Sequence, residues 1–178
     1  MRESKKKFKD IKQTDPLYRY IIELSEKWFI SWFWDDTFRP YTSITRSEFL
    51  KLIFLVSNTT LSNDTKDYFF DIKVGWQKKY INTWVHLWIV STQNKNFYPN
   101  GSITRVEAIK MIVLLFVWEI PNNYSKNIWD ISWWEWYVKY VEYALNNNFF
   151  TLKENKFFPN QNITRYEVVN ILKKIQNK

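Results

Sequence analysis

Apolar positions recur three times along the chain with the spacing of an α-helix. Each stripe follows the pattern i, i+3, i+4, i+7, and the three stripes coincide when the sequence is shifted by 59 and then by 60 residues. Their members are Phe49, Leu52, Ile53 and Val56; Ala108, Met111, Ile112 and Leu115; and Val168, Ile171, Leu172 and Ile175. We therefore expect one amphipathic helix, used three times, with its apolar face in a shared core.

The triplet Ile-Thr-Arg stands directly before each stripe, and a glutamate follows two residues after the triplet. A threonine at the N-cap accepts a hydrogen bond from the amide three residues on, and a glutamate at that third position reaches back to the N-cap amide. The sequence predicts this capping box three times. The pairs are Thr45 and Glu48, Thr104 and Glu107, and Thr164 and Glu167.

A weaker helical pattern precedes each triplet. It is marked by the pairs Tyr20-Ile21, Tyr80-Ile81 and Tyr140-Val141, and each pair follows an Asp-Ile pair, namely Asp10-Ile11, Asp71-Ile72 and Asp130-Ile131. We expect each aspartate to cap a turn or the approach to the helix. The polar segments 58–68 and 119–127 predict connections between repeats.

These patterns predict an all-α fold of three helix-loop-helix repeats, at 1–58, 59–118 and 119–178. A helix pair of this size cannot bury its apolar face alone, whereas three copies packed together can. We therefore expect a single domain in which the three copies pack around an approximate threefold axis.

Composition restricts the class of function. The chain has 178 residues, and 46% of them are hydrophobic, which favours a folded domain. Its net charge of +8 favours an anionic partner. It has no cysteine, and His86 is its one histidine, which excludes disulfides, thiolate metal sites and multi-histidine centres. We expect no metal and no cofactor. The longest apolar run, 111–118, is far shorter than a bilayer span, so we expect no membrane insertion.

No signal peptide opens the chain, since Met1 leads into a lysine-rich stretch. For a protein that works outside the cell, we would then expect this chain to be part of a longer parent chain with further domains.

The residues around the triplets complete a known pattern. Aromatic-x-proline precedes each triplet, as Phe38-Arg39-Pro40, Phe97-Tyr98-Pro99 and Phe157-Phe158-Pro159. With the Asp-Ile pairs and the Ile-Thr-Arg-Ser-Glu stretch at 44–48, this resembles the S-layer homology repeat, which carries Ile-Thr-Arg-Ala-Glu after Phe-x-Pro-Asn. Asn100 and Asn160 match that pattern, and Tyr41 departs from it.

The resemblance implies a mostly helical, three-pronged pseudo-trimer of three repeats that is not an enzyme and has no catalytic residues. Family members anchor surface proteins to the cell wall by binding secondary cell-wall polysaccharide, often with pyruvylated amino sugars. Peptidoglycan is a second possible partner. In the family the signature arginine contributes to ligand binding in grooves between repeats. By motif position, this implies ligand binding by Arg46, Arg105 and Arg165, at the cell surface.

The position of these arginines supports the same role. A cation one residue past an N-cap opposes the helix dipole, at a cost of about 0.3–1 kcal/mol. Free amides at a helix start attract anions, and a guanidinium can bind a carboxylate, such as that of a pyruvate ketal, through two hydrogen bonds. The alternative is that each arginine is solvated or pairs with a neighbouring acid.

Two other classes of function remain open. A basic helical protein that binds nucleic acid would need a contiguous basic face, whereas the basic residues here look scattered. We therefore expect no nucleic acid partner. A module that contacts other proteins in a surface assembly is the other alternative.

Glycine and tryptophan have unusual frequencies. The chain has 2 glycines and 11 tryptophans, although glycine usually makes up about 7% of residues. Trp28, Trp88 and Asn148 share the position where the family pattern expects glycine. Because some bacteria read UGA as glycine and a common alternative code reads it as tryptophan, a translation with the wrong code would explain this. The alternatives are rings that stack on sugars and ordinary core aromatics. The tryptophans concerned are Trp28, Trp32, Trp34, Trp84, Trp88, Trp118, Trp129, Trp133 and Trp134.

Overall fold

The computed structural model describes residues 7–117, 120 and 127–176. These residues contain six helices and no strand, only isolated β-bridges, so the all-α class is confirmed. The helices are α1 (Tyr18–Glu26), α2 (Arg46–Ser57), α3 (Gly75–His86), α4 (Arg105–Phe116), α5 (Val138–Asn146) and α6 (Arg165–Gln176). The predicted connection at 58–68 has no helix, and most of the predicted connection at 119–127 lies outside the described residues.

The helices α2, α4 and α6 begin at the arginines of the three triplets. In α2 the Thr45 hydroxyl accepts from the amide of Glu48, and the Glu48 carboxylate accepts from the amide of Thr45 at 3.1 Å. Thr104 and Glu107 make the same pair of contacts, and so do Thr164 and Glu167. The first three members of each apolar stripe are buried, as the helical periodicity requires.

The three triplets meet at the centre of the molecule. The amide of Ile44 donates to the carbonyl of Ile163, that of Ile163 to Ile103, and that of Ile103 back to Ile44, at 3.3, 3.0 and 3.4 Å. Their side chains are almost fully buried. This closed ring of hydrogen bonds surrounds a pseudo-threefold axis and joins residues from all three repeats.

Helices pair across repeat boundaries. The first helix of each repeat packs on the second helix of the repeat before it, so α3 packs on α2 and α5 on α4. The N-terminal α1 closes the circle by packing on the C-terminal α6. Each pair buries apolar side chains from two repeats, so a single repeat would leave these side chains exposed.

The aspartates of the Asp-Ile pairs hold the aromatic-x-proline loops. The Asp71 carboxylate accepts hydrogen bonds from the amides of Phe97 and Tyr98, at 2.9 and 2.7 Å. Asp10 and Asp130 bind the corresponding amides in the other repeats. This contact keeps the middle residue of each loop at a positive φ, as at Tyr98 with φ 60°.

Candidate functional site

The amides at the starts of α2, α4 and α6 are already hydrogen-bonded by neighbouring repeats. In α2 the amide of Arg46 donates to the carbonyl of Gly101 at 2.9 Å, and the amide of Ser47 donates to Pro99 at 3.0 Å. The corresponding amides of α4 bind Gln161 and Pro159, and those of α6 bind Thr42 and Pro40. The expectation that free amides attract an anion there is therefore wrong. Any anion binding at these places depends on side chains.

Arg46 lies between the first and second repeats. Its Nε donates to the carbonyl of Phe97 at 3.1 Å, and its guanidinium lies 4.8 Å from the centre of the Phe97 ring. One terminal nitrogen donates to the carboxylate of Glu107 at 2.8 Å. The side chain of Arg46 remains 16% exposed, compared with 10% for that of Arg105.

Arg165 occupies the corresponding place between the third and first repeats, but it is buried. Its Nε donates to the carbonyl of Phe38 at 2.9 Å, and a terminal nitrogen donates to the carbonyl of Ser31. Burial lowers the pKa of this guanidinium, and the carboxylates of Glu48 and Asp10 oppose that shift. The charge is therefore largely withdrawn from water.

Arg105 lies between the second and third repeats, and its side chain is 10% exposed. Its guanidinium is flanked by Phe150 and Phe157, at 4.6 and 5.0 Å from the ring centres, and lies 3.4 Å from the carboxylate of Glu167. Burial lowers the pKa of this guanidinium as well, and the negative charges of Glu167 and Asp130 oppose that shift. Its buried Nε has no hydrogen-bond partner within the described residues.

The three arginines thus share one environment. Each lies against the aromatic residue of the next loop and near the capping glutamate of the next repeat, so that Arg46 faces Glu107, Arg105 faces Glu167 and Arg165 faces Glu48. The alternative considered for the arginines, pairing with a neighbouring acid, is therefore realised for Arg46 and Arg105. A role in ligand binding remains a prediction for all three.

A groove of about 600 Å³ opens beside Arg46. Its walls include the loops at 89–91 and 96–98 of the second repeat, the start of α4 with Glu107 and Lys110, and Trp136 of the third repeat. The Lys110 ammonium lies 5.0 Å from the centre of the Trp136 ring. Two cations and an exposed aromatic face therefore line one cleft.

The corresponding groove beside Arg165 is nearly closed. It has a volume of about 20 Å³ and is lined by Ile30, Ser31, Glu48 and Lys51. These residues occupy the same repeat positions as Val90, Ser91, Glu107 and Lys110 in the open groove. Lys51 lies 5.9 Å from the Trp76 ring, so this groove keeps the lysine and tryptophan pair but not the space.

Sequence reasoning did not select Lys110 or Trp136 as site residues. A signal was present, because Lys51 and Lys110 occupy one repeat position and Trp76 and Trp136 another. Neither position belongs to the Ile-Thr-Arg triplet, and the lysine and tryptophan meet only when helices of different repeats pack.

The tryptophans fall into distinct environments. Trp84 is fully buried and packs edge-on against Phe54, with 5.0 Å between the ring centres. Trp32 is half-buried, and its ring centre lies 4.8 Å from that of Trp28. Trp118 lies outside the described residues. The other tryptophans questioned above have exposed rings, namely Trp28, Trp34, Trp88, Trp129, Trp133 and Trp134. None of them lines the groove beside Arg46.

His86 ends α3 and contacts the connection that precedes this helix. Its Nε2 lies 2.8 Å from the carboxylate of Asp64, which also accepts from the Tyr68 hydroxyl at 2.8 Å. Asn82 donates to the carbonyls of Asp64 and Lys66. The cluster therefore ties the connection to α3. Residues 7–117, 120 and 127–176 hold no group of acidic or histidine side chains arranged to bind a metal.

The S-layer homology domain model matches residues 7–50, 71–109 and 129–169, which together make up most of the chain. The chain belongs to the S-layer homology domain family. Each matched segment spans one Asp-Ile pair, one aromatic-x-proline loop and one Ile-Thr-Arg triplet. The predicted family and its three tandem repeats are confirmed.

Two relatives are similar to part of this chain. An endoglucanase of Bacillus sp. (strain KSM-635) is 34% identical over 107 residues, which are 60% of this chain and 11% of the relative. A cellulosome-anchoring protein of Acetivibrio thermocellus is 32% identical over 110 residues, which are 59% of this chain and 25% of the relative. The chain therefore spans a quarter or less of the length of these two proteins.

Proposed function

We propose that this chain is a non-enzymatic module that anchors a surface protein to the bacterial cell wall without a covalent bond. Membership of the S-layer homology family supports this function, and one relative is named for anchoring. The proposed location is the cell surface, and the proposed context is a longer parent chain that carries further domains. Among the described residues, none of the helices combines the length and apolarity needed to cross a bilayer.

The proposed ligand is an anionic secondary cell-wall polysaccharide that bears pyruvylated sugars, with peptidoglycan as the other wall polymer. The observation that carries this proposal is the groove beside Arg46. There a partly exposed guanidinium and the Lys110 ammonium can meet a carboxylate, while Trp136 offers an aromatic face to the sugar ring. A net charge of +8 favours approach to a polyanion. Arg105 and Arg165 remain predicted ligand residues by motif position.

Co-sedimentation with purified cell-wall sacculi tests this function. The chain should pellet with sacculi, and removal of the secondary polysaccharide should abolish pelleting. Pelleting that persists after removal would identify peptidoglycan as the ligand, and no pelleting with untreated sacculi would refute wall anchoring. Combined replacement of Arg46, Arg105 and Arg165 by alanine should weaken pelleting. Thermal denaturation of the triple variant would show whether it is still folded.

Binding of DNA separates a wall-anchoring module from the alternative, a protein that binds nucleic acid. We expect no binding of duplex DNA at physiological salt. DNA binding that falls steeply as salt increases would instead favour the nucleic acid alternative. Incubation with soluble cellulose should release no reducing sugar, as expected for a module without catalytic residues.

A further inference from the structure

The inter-repeat grooves beside Arg46 and Arg165 use one sequence motif but differ in the room that they leave for a ligand. The groove beside Arg46 has a volume of about 600 Å³, whereas the one beside Arg165 has about 20 Å³. Of these two grooves, only the first has room for a sugar ring that carries a carboxylate. This inference rests on the proposed function, because it concerns which groove performs it.

Arg165 itself helps to close its groove. It reaches across the cleft to the carbonyl of Ser31, while its Nε is held by the carbonyl of Phe38. Arg46 donates instead to Glu107, and Ser91, which corresponds to Ser31, lines the open groove. Opening the Arg165 groove would leave a buried guanidinium without its acceptor, which is costly in a poorly hydrated interior.

The groove beside Arg105 lacks the lysine and tryptophan pair of the other two. Asn170 takes the repeat position of Lys51 and Lys110, and Pro16 takes that of Trp76 and Trp136. The guanidinium of Arg105 is enclosed by Phe150 and Phe157. Lys173 and Lys174 of α6 donate hydrogen bonds to the carbonyls of Pro16 and Asn148. The side chains around Arg105 therefore differ from those in the groove beside Arg46.

We propose that the groove formed by Arg46, Lys110 and Trp136 is the site at which this module binds the anionic polysaccharide. In place of the ligand-binding role that motif position predicts for them, Arg105 and Arg165 then stabilise the fold. The module then has one ligand site in spite of its three motifs. A longer parent protein would obtain tighter anchoring by carrying more than one module or by assembling into a lattice.

Isothermal titration calorimetry with a pyruvylated amino-sugar glycoside tests this assignment. We expect a stoichiometry near one. Arg46→Met and Lys110→Met should each lower the affinity about tenfold or more, the effect expected from loss of one charged hydrogen bond of about 1.5–3 kcal/mol. Lys51→Met is the matched control, since Lys51 holds the same repeat position in the closed groove, and it should leave the affinity unchanged. Arg165→Met should lower the thermal midpoint, because it removes the hydrogen bonds to the carbonyls of Phe38 and Ser31.

The outcomes separate this inference from the function on which it rests. A stoichiometry of two or three, or a loss of affinity for Lys51→Met as large as that for Lys110→Met, would overturn the single-site assignment while wall binding stands. Absence of both glycoside and sacculus binding in the unaltered protein would overturn the function and the site together.

A second inference comes from the backbone at Trp28 and Trp88. These residues have φ of 60° and 59°, in the left-handed region that glycine adopts easily and a residue with a Cβ does not. Each follows the end of a helix in a Schellman arrangement, in which the Trp28 amide donates to Ser25 and the next amide to Leu24. In the third repeat the same position is held by Asn148, with φ 59°, and asparagine tolerates this conformation.

Burial does not offset the strain at these positions. The Trp88 residue is 94% exposed and Trp28 is 69% exposed. With 2 glycines and 11 tryptophans in 178 residues, the chain is poor in glycine and rich in tryptophan. We infer that positions 28 and 88 hold glycine in the source organism, and that their codon is UGA read as glycine.

Peptide mass spectrometry of the protein purified from its own cells tests this inference. The expected result is a glycine residue mass at positions 28 and 88. A tryptophan mass at either position would overturn the inference for that position. Trp76, which lies within helical backbone at the start of α3, serves as the internal reference and should be tryptophan.

Discussion

The amide of Ile163 donates to the carbonyl of Ile103 at 3.0 Å, although the two residues are 60 positions apart. With the bonds from Ile44 to Ile163 and from Ile103 to Ile44, this contact closes a ring at the centre of the molecule. Every repeat contributes one donor and one acceptor, so no repeat can complete the ring alone. The domain should therefore unfold as one unit.

Loss of one isoleucine from the ring should destabilise all three repeats together. We expect Ile103→Ala to lower the free energy of unfolding by about 2–5 kcal/mol, the range for truncation of a fully buried aliphatic side chain. Urea denaturation followed by circular dichroism and by tryptophan fluorescence should give one shared transition. Val74→Ala, at an exposed position, should change stability by about 0.5 kcal/mol or less. Two separate transitions would contradict a single cooperative domain.

The carboxylate of Asp71 should stabilise the loop that also positions a carbonyl for Arg46. Asp71→Ala removes the acceptor for the amides of Phe97 and Tyr98, and each charge-assisted hydrogen bond contributes about 1.5–3 kcal/mol. Asp71→Asn keeps one acceptor oxygen, so it should lower the free energy of unfolding by less than Asp71→Ala does. Chemical denaturation of both variants would measure the difference. Equal costs for the two variants would show that the two amides do not depend on this side chain.

Relief of the left-handed conformation should make the chain more stable. Because this conformation costs a residue with a Cβ about 1–2 kcal/mol, Trp88→Gly should raise the free energy of unfolding by up to that amount. Trp28→Gly should give a smaller gain, since Trp28 also packs on Trp32. Trp76→Gly is the control within helical backbone, and it should lower stability by about 0.5–1 kcal/mol. Differential scanning calorimetry would measure all three, and a lower midpoint for Trp88→Gly would contradict the strain argument.

The contacts of Asp64 should make stability depend on pH in the acid range. The Lys66 amide, the Tyr68 hydroxyl and then His86 hold the pKa of Asp64 below its ordinary value of 3.8. A lowered folded-state pKa means that this contribution is present above pH 3.8 and is lost as the pH falls through the folded-state pKa.

Thermal midpoints measured from pH 5 down to about pH 2.5 would check this, the range being set by ordinary carboxyl pKa values. Asp64→Asn should have a flatter profile than the unaltered protein. Asp36→Asn, which removes an exposed carboxylate that pairs with Lys9, is the matched control and should follow the unaltered profile closely. Parallel profiles for the unaltered protein and Asp64→Asn would show that Asp64 does not cause the predicted loss of stability in acid.

The sequence by itself determined where the main helices begin and which faces they bury. Thr104, Glu107 and the apolar positions after them lie within a few residues of one another, so local capping and helical periodicity specify α4 without knowledge of the rest of the chain. Repetition of that pattern at offsets of 59 and 60 residues was enough to predict three copies, and the resemblance of the motif residues predicted the family. It also identified Trp28, Trp88 and Asn148 as one position.

Only the tertiary structure decided how the copies meet. The amides at the helix starts were expected to be free, yet carbonyls such as those of Gly101 and Pro99 come from another repeat and occupy them. In the same way, Arg46 and Arg165 have identical motifs but different acceptors, Glu107 and the Ser31 carbonyl, which leaves one groove open and nearly closes the other. These contacts join residues more than 50 positions apart, and their geometry depends on the packing of the whole ring, which no local sequence pattern specifies.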